Sequence, residues 1–152
     1  MSLLGIDLGT SGCKAAVFSE DGRCLGQAYR EYKTIMPHPG WAELDSNEVW
    51  QKACEVIREV AAFTIHDPVT ALSSSSFGEG FVPVTRKREL LRNTILCMDS
   101  RGEDHVERLR RDLGEENFYR INCNTLGPQY SLPKILWMRD TEPEIFERAD
   151  YF

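Results

Sequence analysis

The sequence predicts an α/β fold in which three antiparallel strands are followed by a helix that crosses over to a further strand of the same mixed sheet. Three features support this prediction. A glycine-containing turn at 9–12 separates two apolar runs, Asp21-Gly22 is a hairpin signal between strand-like segments, and an amphipathic stretch begins after Asp45. The order β-β-β-α-β also differs from the alternating βα pattern of a Rossmann domain.

Each element follows from local pattern and punctuation. The strands of the meander are expected at 3–8, 14–18 and 23–32, the first of them buried. Asp45 is a suitable N-cap with Glu48 as its capping-box partner, and the helix that follows has an apolar face on which Trp50 is expected to be core. Later strands are predicted at 69–75, 81–84 and 94–97, and later helices at 102–113, 115–121, 131–140 and 143–149.

Composition limits the classes of partner. A chain of 152 residues is long enough for one domain with a proper core, and its net charge of −6 argues against nucleic acid or an anionic membrane as main partner. No signal sequence and no apolar run of about 18 residues is present, which predicts a cytoplasmic protein. The five cysteines contain no Cys-x-x-Cys pair, and the three histidines show no metal-ligand spacing.

The opening stretch LLGIDLGTSGCK, residues 3–14, places one carboxylate, Asp7, directly before the glycine turn. Its glycines lack the spacing of a dinucleotide fingerprint, and Lys14 is not followed by the hydroxyl residue of a Walker loop. The turn nevertheless points backbone N–H groups at one spot, where they form a nest for phosphate oxygens, and Asp7 is suited to hold hydrated Mg²⁺ beside them. The alternative is a plain hairpin turn with Asp7 satisfied locally.

Four segments together resemble the FGGY carbohydrate kinases, the xylulokinase, gluconokinase and glycerol kinase group of the actin/hexokinase/Hsp70 superfamily. They are GIDLGTSGCKAAVFSEDGRCLG at 5–26, PGWAELDSNEVW at 39–50, SSSSFGEGFVPVTRKRELLRNTILCMDSR at 73–101 and SLPKILWMRDTEPEIF at 131–146. The resemblance implies a ribonuclease H-like (actin-like ATPase) domain and ATP- and Mg²⁺-dependent phosphorylation of a sugar, polyol or sugar acid.

The resemblance also implies roles for individual residues. Asp7 matches the catalytic carboxylate on the metal and phosphate side, and Glu79, Asp99 and Arg101 match positions at the sugar site. The residues that match the loop at the ATP phosphates are Gly9, Thr10, Ser11, Gly12 and Lys14. Without the resemblance, Glu79 reads as an exposed hairpin acid, and Asp99 and Arg101 as a helix N-cap and a surface salt bridge.

The resemblance further implies that residues 1–152 are the N-terminal part of the first of two domains. The rest of that domain, the second domain, the general-base aspartate and the adenosine pocket are then absent, so the chain alone is expected to be inactive. Expected partners are a small-molecule sugar or polyol and a second copy in a homodimer, with no nucleic acid and no membrane. The alternatives are an ATP-dependent chaperone, an actin-like protein, or a degenerate kinase-like protein without catalysis.

The sequence leaves the substrate open. Ser76 to Glu79 differ from the Gly-Gln-x-His common in xylulokinases, and Cys97-Met98 replaces the usual Trp-Asn before Asp99. These differences make xylulose itself doubtful, and an aldonate, another ketose or a polyol fits equally well.

Overall fold

The computed structural model describes all residues from Met1 to Phe152, which divide into two compact units. The first comprises Met1–Thr34 and Leu44–Phe77, and the second comprises Ile35–Glu43 and Gly78–Phe152. The structure is α/β with a mixed sheet, so the predicted fold class is confirmed.

The first unit is a sheet covered on one face by a helix. The sheet contains β1 (Ser2–Leu8), β2 (Gly12–Ser19), β3 (Cys24–Glu31) and β5 (Val69–Ser76). Their order is β3-β2-β1-β5, with the pairs β1/β2 and β2/β3 antiparallel and β1/β5 parallel. The predicted meander and the crossover to a strand of the same sheet are therefore both confirmed. The crossover contains helix α1 (Ser46–Ala61) and a 3₁₀ turn at Ala62–Thr64.

Helix α1 begins as predicted and packs on β2 and β3. The side chain of Asp45 accepts hydrogen bonds from the backbone N–H groups of Asn47 and Glu48, an N-cap that stabilises a helix by about 1 kcal/mol. The buried side chains of this layer come from alternate strand positions and one helix face: Leu4, Ile6, Cys13, Ala15, Val17, Ala28, Ala53, Val56 and Val60.

Two predictions about this layer are wrong. Strand β1 is buried on one face only, because Leu4 and Ile6 point to the helix while Leu3 and Asp7 alternate to the exposed face. Trp50 is 70% exposed and is not core. The apolar stripe of α1 is narrower than its sequence suggests, since its buried residues are Ala53, Val56 and Val60.

The second unit is mainly helical. Its helices are α2 Glu103–Leu113, α3 Glu115–Asn122, α4 Ser131–Thr141 and α5 Pro143–Arg148. Strands β4 (Glu43–Leu44) and β6 (Thr94–Ile95) form a short two-stranded sheet. The core is built on Phe81, Ile95 and Met138, with Trp137 and other apolar residues of α4 and α5 packed against it.

The segment around the charged turn forms bridges in place of the predicted strand at 81–84. Phe81 pairs with Ile95, and Val84 pairs with both Leu90 and Tyr151. The turn itself closes through hydrogen bonds between Thr85 and Glu89, as the sequence predicts. None of the helices combines the length and apolarity needed to cross a lipid bilayer.

The N-cap residue of helix α2 is Gly102, in place of the predicted Asp99. Gly102 has φ +93°, in the region that disfavours residues with a side chain. A Cβ atom there would lie 2.6 Å from the carbonyl carbon and oxygen of Pro133 in α4. Glycine is thus required both by the backbone conformation and by the close approach of α4.

Candidate functional site

The turn between β1 and β2 is a tight hairpin that requires glycine. The N–H of Gly9 donates to the carbonyl oxygen of Gly12 at 2.9 Å. A Cβ atom on Gly12 would lie 2.4 Å from the Tyr29 hydroxyl oxygen and 2.7 Å from the Arg30 carbonyl oxygen, both closer than real contacts allow. The residues between the two glycines, Thr10 and Ser11, form the tip of the loop, and Ser11 is exposed.

Tyr32, directly after β3, ties this turn to the sheet. Its hydroxyl donates to the carbonyl oxygen of Gly9, and its backbone N–H donates to the carbonyl oxygen of Ser11 at 3.2 Å. Burial is the main cause that raises the pKa of Tyr32 to about 12, so the hydroxyl keeps its proton at neutral pH. This tether was not predicted from the sequence, since the contact joins residues 23 positions apart.

Asp7 and Lys14 stand opposite each other in the antiparallel register of β1 and β2, and Ser75 of β5 is the partner of Asp7 on its other side. Both charged side chains are exposed, and neither makes an ion pair or a hydrogen bond within the chain. They line a shallow depression of about 310 Å³ on the sheet face opposite α1. The alternative of an Asp7 satisfied by local partners therefore does not hold.

The exposed side chains of Asp7 and Lys14 suit an anionic ligand that binds together with a cation. Mg²⁺ keeps several waters and binds proteins through one or two carboxylates together with phosphate oxygens, which a single free Asp7 carboxylate can provide. No group of three or more histidine, cysteine or acidic side chains is placed to hold a metal ion by itself. The residues present thus fit Mg²⁺ shared with a phosphate, and do not form an all-protein metal site.

Glu79 lies in the second unit at a strained backbone position, with φ +62°. Its carboxylate oxygen Oε2 accepts hydrogen bonds from the backbone N–H of Ser131 at 3.2 Å and from the Ser131 hydroxyl at 3.3 Å. Ser131 is the first residue of α4, so the helix N-terminus and this carboxylate attract each other. Glu79 is otherwise exposed, and Oε1 accepts no hydrogen bond.

Lys134, one turn further along α4, is fully buried. Its ammonium donates to three backbone carbonyl oxygens: those of Cys97 at 3.1 Å, Pro128 at 2.7 Å and Gln129 at 3.2 Å. Burial lowers the pKa of this ammonium below its ordinary value. The Lys134 ammonium therefore joins the loop before α4, at Pro128 and Gln129, to Cys97 in the segment before α2.

Asp99 and Arg101 are brought together, and both are buried, with exposures of 1% and 3%. Asp99 accepts from Nε and Nη2 of Arg101 at 2.8 and 2.6 Å, and from the backbone N–H of Ala42 at 2.6 Å. Burial alone would raise the pKa of Asp99, but the hydrogen bonds from Arg101 and Ala42 outweigh it and leave that pKa below its ordinary value. This pair is therefore neither a helix cap nor a surface salt bridge.

The pair belongs to a larger buried ionic cluster. Nη1 of Arg101 lies 2.7 Å from Oε1 of Glu43, and the same oxygen pairs with Arg92 at 2.7 Å. The Arg101 guanidinium also lies 3.9 Å from the ring centroid of Trp41, which packs edge-on against Trp137. Glu43 and Arg92 were missed from the sequence, because they lie about 50 residues apart along the chain.

The family follows from comparison with known proteins. The family profile described as "FGGY family of carbohydrate kinases, N-terminal domain" matches residues 2–152. The chain belongs to this family. The xylulose kinase of Staphylococcus epidermidis is 33% identical over 152 residues, covering 99% of this chain and 30% of its own length. Glycerol kinase 2 of Streptomyces coelicolor is 30% identical, covering 97% of this chain and 30% of its own.

Solved structures agree with this membership. The crystal structure of xylulose kinase from Rhodospirillum rubrum matches with a TM-score of 0.92 and 25% identity, over 98% of this chain and 31% of that one. The chain thus spans about 30% of the length of the relatives it matches. These relatives are named xylulose kinase and glycerol kinase.

Proposed function

We propose that this chain is the N-terminal part of the first domain of a kinase that transfers the γ-phosphoryl group of ATP to a hydroxyl of a sugar, polyol or sugar acid. The single observation that carries the proposal is the arrangement of Asp7 and Lys14. Two opposite charges, free of partners within the chain, stand side by side next to a glycine turn on an open sheet face. Family membership supports the same activity.

Within this proposal, the loop receives the phosphates of ATP. The turn at Gly9, Thr10, Ser11 and Gly12 offers the hydroxyls of Thr10 and Ser11 and the backbone N–H groups that the turn does not itself use, and Lys14 offers a positive charge beside them. Asp7 is the catalytic carboxylate on the metal side, and it would hold Mg²⁺ against the phosphate oxygens. The Tyr32 tether keeps this loop in place before the nucleotide arrives.

Glu79 is the proposed contact for substrate hydroxyls, since its Oε1 is free and exposed. Asp99 and Arg101, predicted to bind sugar, direct their polar groups to each other, to Ala42 and to Glu43. We propose that this pair supports the wall of the sugar site in the conformation seen here and lies behind the residues that contact the ligand.

The proposal assigns the general base, the second phosphate loop and the adenosine pocket to sequence outside residues 1–152. Phosphoryl transfer depends on positioning and charge neutralisation from both sides of a cleft, so these residues alone should not catalyse it. The kinase is proposed to act in the cytoplasm, where ATP is supplied and the five free cysteines stay reduced. Its assembly as a homodimer stays a prediction, which sedimentation velocity can measure.

The test is a coupled ADP-release assay on two samples, the purified 152-residue chain and a full-length kinase containing it, with pentoses, hexoses, polyols and aldonates. We expect turnover only in the full-length protein, and its loss in Asp7→Asn. Turnover by the 152-residue chain would contradict the proposal that catalysis needs residues outside 1–152. ATP binding by the full-length protein without phosphorylation of any compound would favour a chaperone-like or degenerate protein.

A further inference from the structure

We propose that Tyr32 is a positioning residue for the nucleotide: by binding two carbonyl oxygens of the turn at 9–12, it directs peptide N–H groups of that turn towards the phosphates of ATP. The inference rests on the proposed function, in which this turn receives those phosphates. It assigns to Tyr32 a specific effect on the affinity for ATP, exerted through the backbone of the turn, in addition to a contribution to the fold.

Tyr32 reaches the turn from the interior of the first unit. In the register of β2 and β3, Glu31 is the partner of Gly12, so Tyr32 comes directly after the last paired residue of β3. Its side chain is 4% exposed, and its hydroxyl donates to the carbonyl oxygen of Gly9. A buried hydroxyl without a partner is costly, so this hydrogen bond is expected to persist throughout the folded state.

Tyr32 fixes the orientation of two peptide groups in the turn. Its hydroxyl binds the carbonyl oxygen of Gly9, and its backbone N–H binds that of Ser11. The N–H groups of these two peptides belong to Thr10 and Gly12. In a trans peptide the C=O and the N–H point in opposite directions, and the chain has no cis peptide bond. With both oxygens drawn towards Tyr32, the two N–H groups face away from it.

The outer side of the turn is therefore suited to an anion. The N–H of Gly9 is used within the turn, by the carbonyl oxygen of Gly12, whereas no hydrogen bond of the chain uses the N–H of Thr10. Backbone N–H groups that converge in a turn bind phosphate oxygens, and the exposed Lys14 adds a positive charge beside them. Rotation of the peptide between Gly9 and Thr10 would instead present a carbonyl oxygen, which repels phosphate. The hydroxyl of Tyr32 opposes that rotation.

The test compares Tyr32→Phe with the wild type in a full-length kinase containing this chain. Phenylalanine keeps the ring and the backbone N–H bond to Ser11, and it removes only the hydroxyl. We expect the KM for ATP and the Kd for MgADP, measured by calorimetry, to rise about three- to tenfold, the range that one hydrogen bond supplies. The kcat and the KM for the accepted sugar or polyol should change by less than about twofold, because Tyr32 acts on the phosphate turn alone.

Hydrogen exchange distinguishes positioning from a general contribution to stability. In the nucleotide-free protein, the amides of the segment 5–14 should exchange faster in Tyr32→Phe than in the wild type. With saturating MgADP this difference should disappear, because the phosphates then hold the turn. Tyr119→Phe is the matched control, since Tyr119 is 56% exposed on α3, and it should leave the kinetic constants, the Kd and the exchange rates unchanged.

The outcomes separate this proposal from the proposed function. A KM for ATP and a Kd for MgADP within about twofold of the wild type in Tyr32→Phe would overturn the positioning role and leave kinase activity standing. Equal increases in the KM for ATP and the KM for the second substrate would also overturn it, since they indicate a general loosening of the protein. No phosphorylation of any compound by the wild type would overturn the proposed function, while the Kd for MgADP would still decide the role of Tyr32.

Discussion

Replacement of Arg101 by methionine is the sharpest test of the buried ionic cluster. Methionine matches the length of the arginine stem but carries no charge and no hydrogen-bond donor. The substitution leaves the carboxylates of Asp99 and Glu43 buried, with exposures of 1% and 6%, and without their shared partner. It also removes the cation that lies 3.9 Å from the Trp41 ring centroid.

The expected cost follows from these contacts. Removing one member of a buried ion pair costs about 3–5 kcal/mol, because the remaining charge stays desolvated. Loss of a desolvated cation–π contact adds about 1–2 kcal/mol, and burial of the methionine methyl group returns a part of that amount. We therefore expect Arg101→Met to lower the free energy of unfolding by about 4 kcal/mol, which corresponds to roughly 8–16 °C in Tm for a chain of this length.

The assay is urea unfolding followed by tryptophan fluorescence, since Trp41 and Trp137 report on the neighbourhood of Arg101. Arg111→Met is the matched control, because the Arg111 side chain is 75% exposed and its substitution should change stability by no more than about 0.5 kcal/mol. The double variant D99N/R101M should recover part of the loss, because an amide is less costly than an unpaired carboxylate.

Two results would refute this reasoning. One is an Arg101→Met protein within about 1 kcal/mol of wild type, which would mean that the cluster is solvated in the folded protein. The other is a double variant less stable than the single one, which would mean that Asp99 stabilises the fold through Ala42 even without Arg101.

Two further predictions concern backbone strain and pH. Gly102→Ala should lower the free energy of unfolding by several kcal/mol more than Gly114→Ala. Both glycines have positive φ, but only at Gly102 would a Cβ atom meet the backbone of α4. Equal losses of Tm in the two variants would contradict this reasoning. Hydrogen bonds from Arg139 and His105 lower the pKa of Asp140 to about 2. The stability that this ionised carboxylate contributes is fully present above about pH 4 and is lost as the pH falls towards 2. Between about pH 4 and 2, the Tm of Asp140→Asn should therefore fall less than that of the wild type. Parallel Tm curves for the two proteins would contradict the assignment.

The local parts of the fold were predictable from sequence because their signals are local. Asp21-Gly22 has the turn chemistry of a hairpin, and the structure places Gly22 at φ +84°. Asp45 caps α1 through neighbours two and three residues away. The same logic failed for Trp50, since spacing shows which residues share a helix face and cannot show how wide a stripe the sheet covers.

The candidate site was predictable only where its residues are close in sequence. Asp7 and Lys14 are joined by one short turn, so their juxtaposition follows from the hairpin. The partners of Asp99 were not predictable, because its N-cap pattern is local while Ala42 lies 57 positions away. Ser131 begins the segment at 131–146 that resembles the family, yet its contact with Glu79 depends on how α4 packs and could not be predicted from that segment.

The outer strand β5 has a consequence for handling the protein. It pairs with β1 along one edge only, and its residues from Thr70 to Ser76 are exposed. The strand contains no proline and no charged residue, the features that commonly keep edge strands from joining one another. Concentrated preparations of residues 1–152 should therefore associate through strand addition at β5, and a lysine introduced on this strand is the simplest way to keep them monomeric.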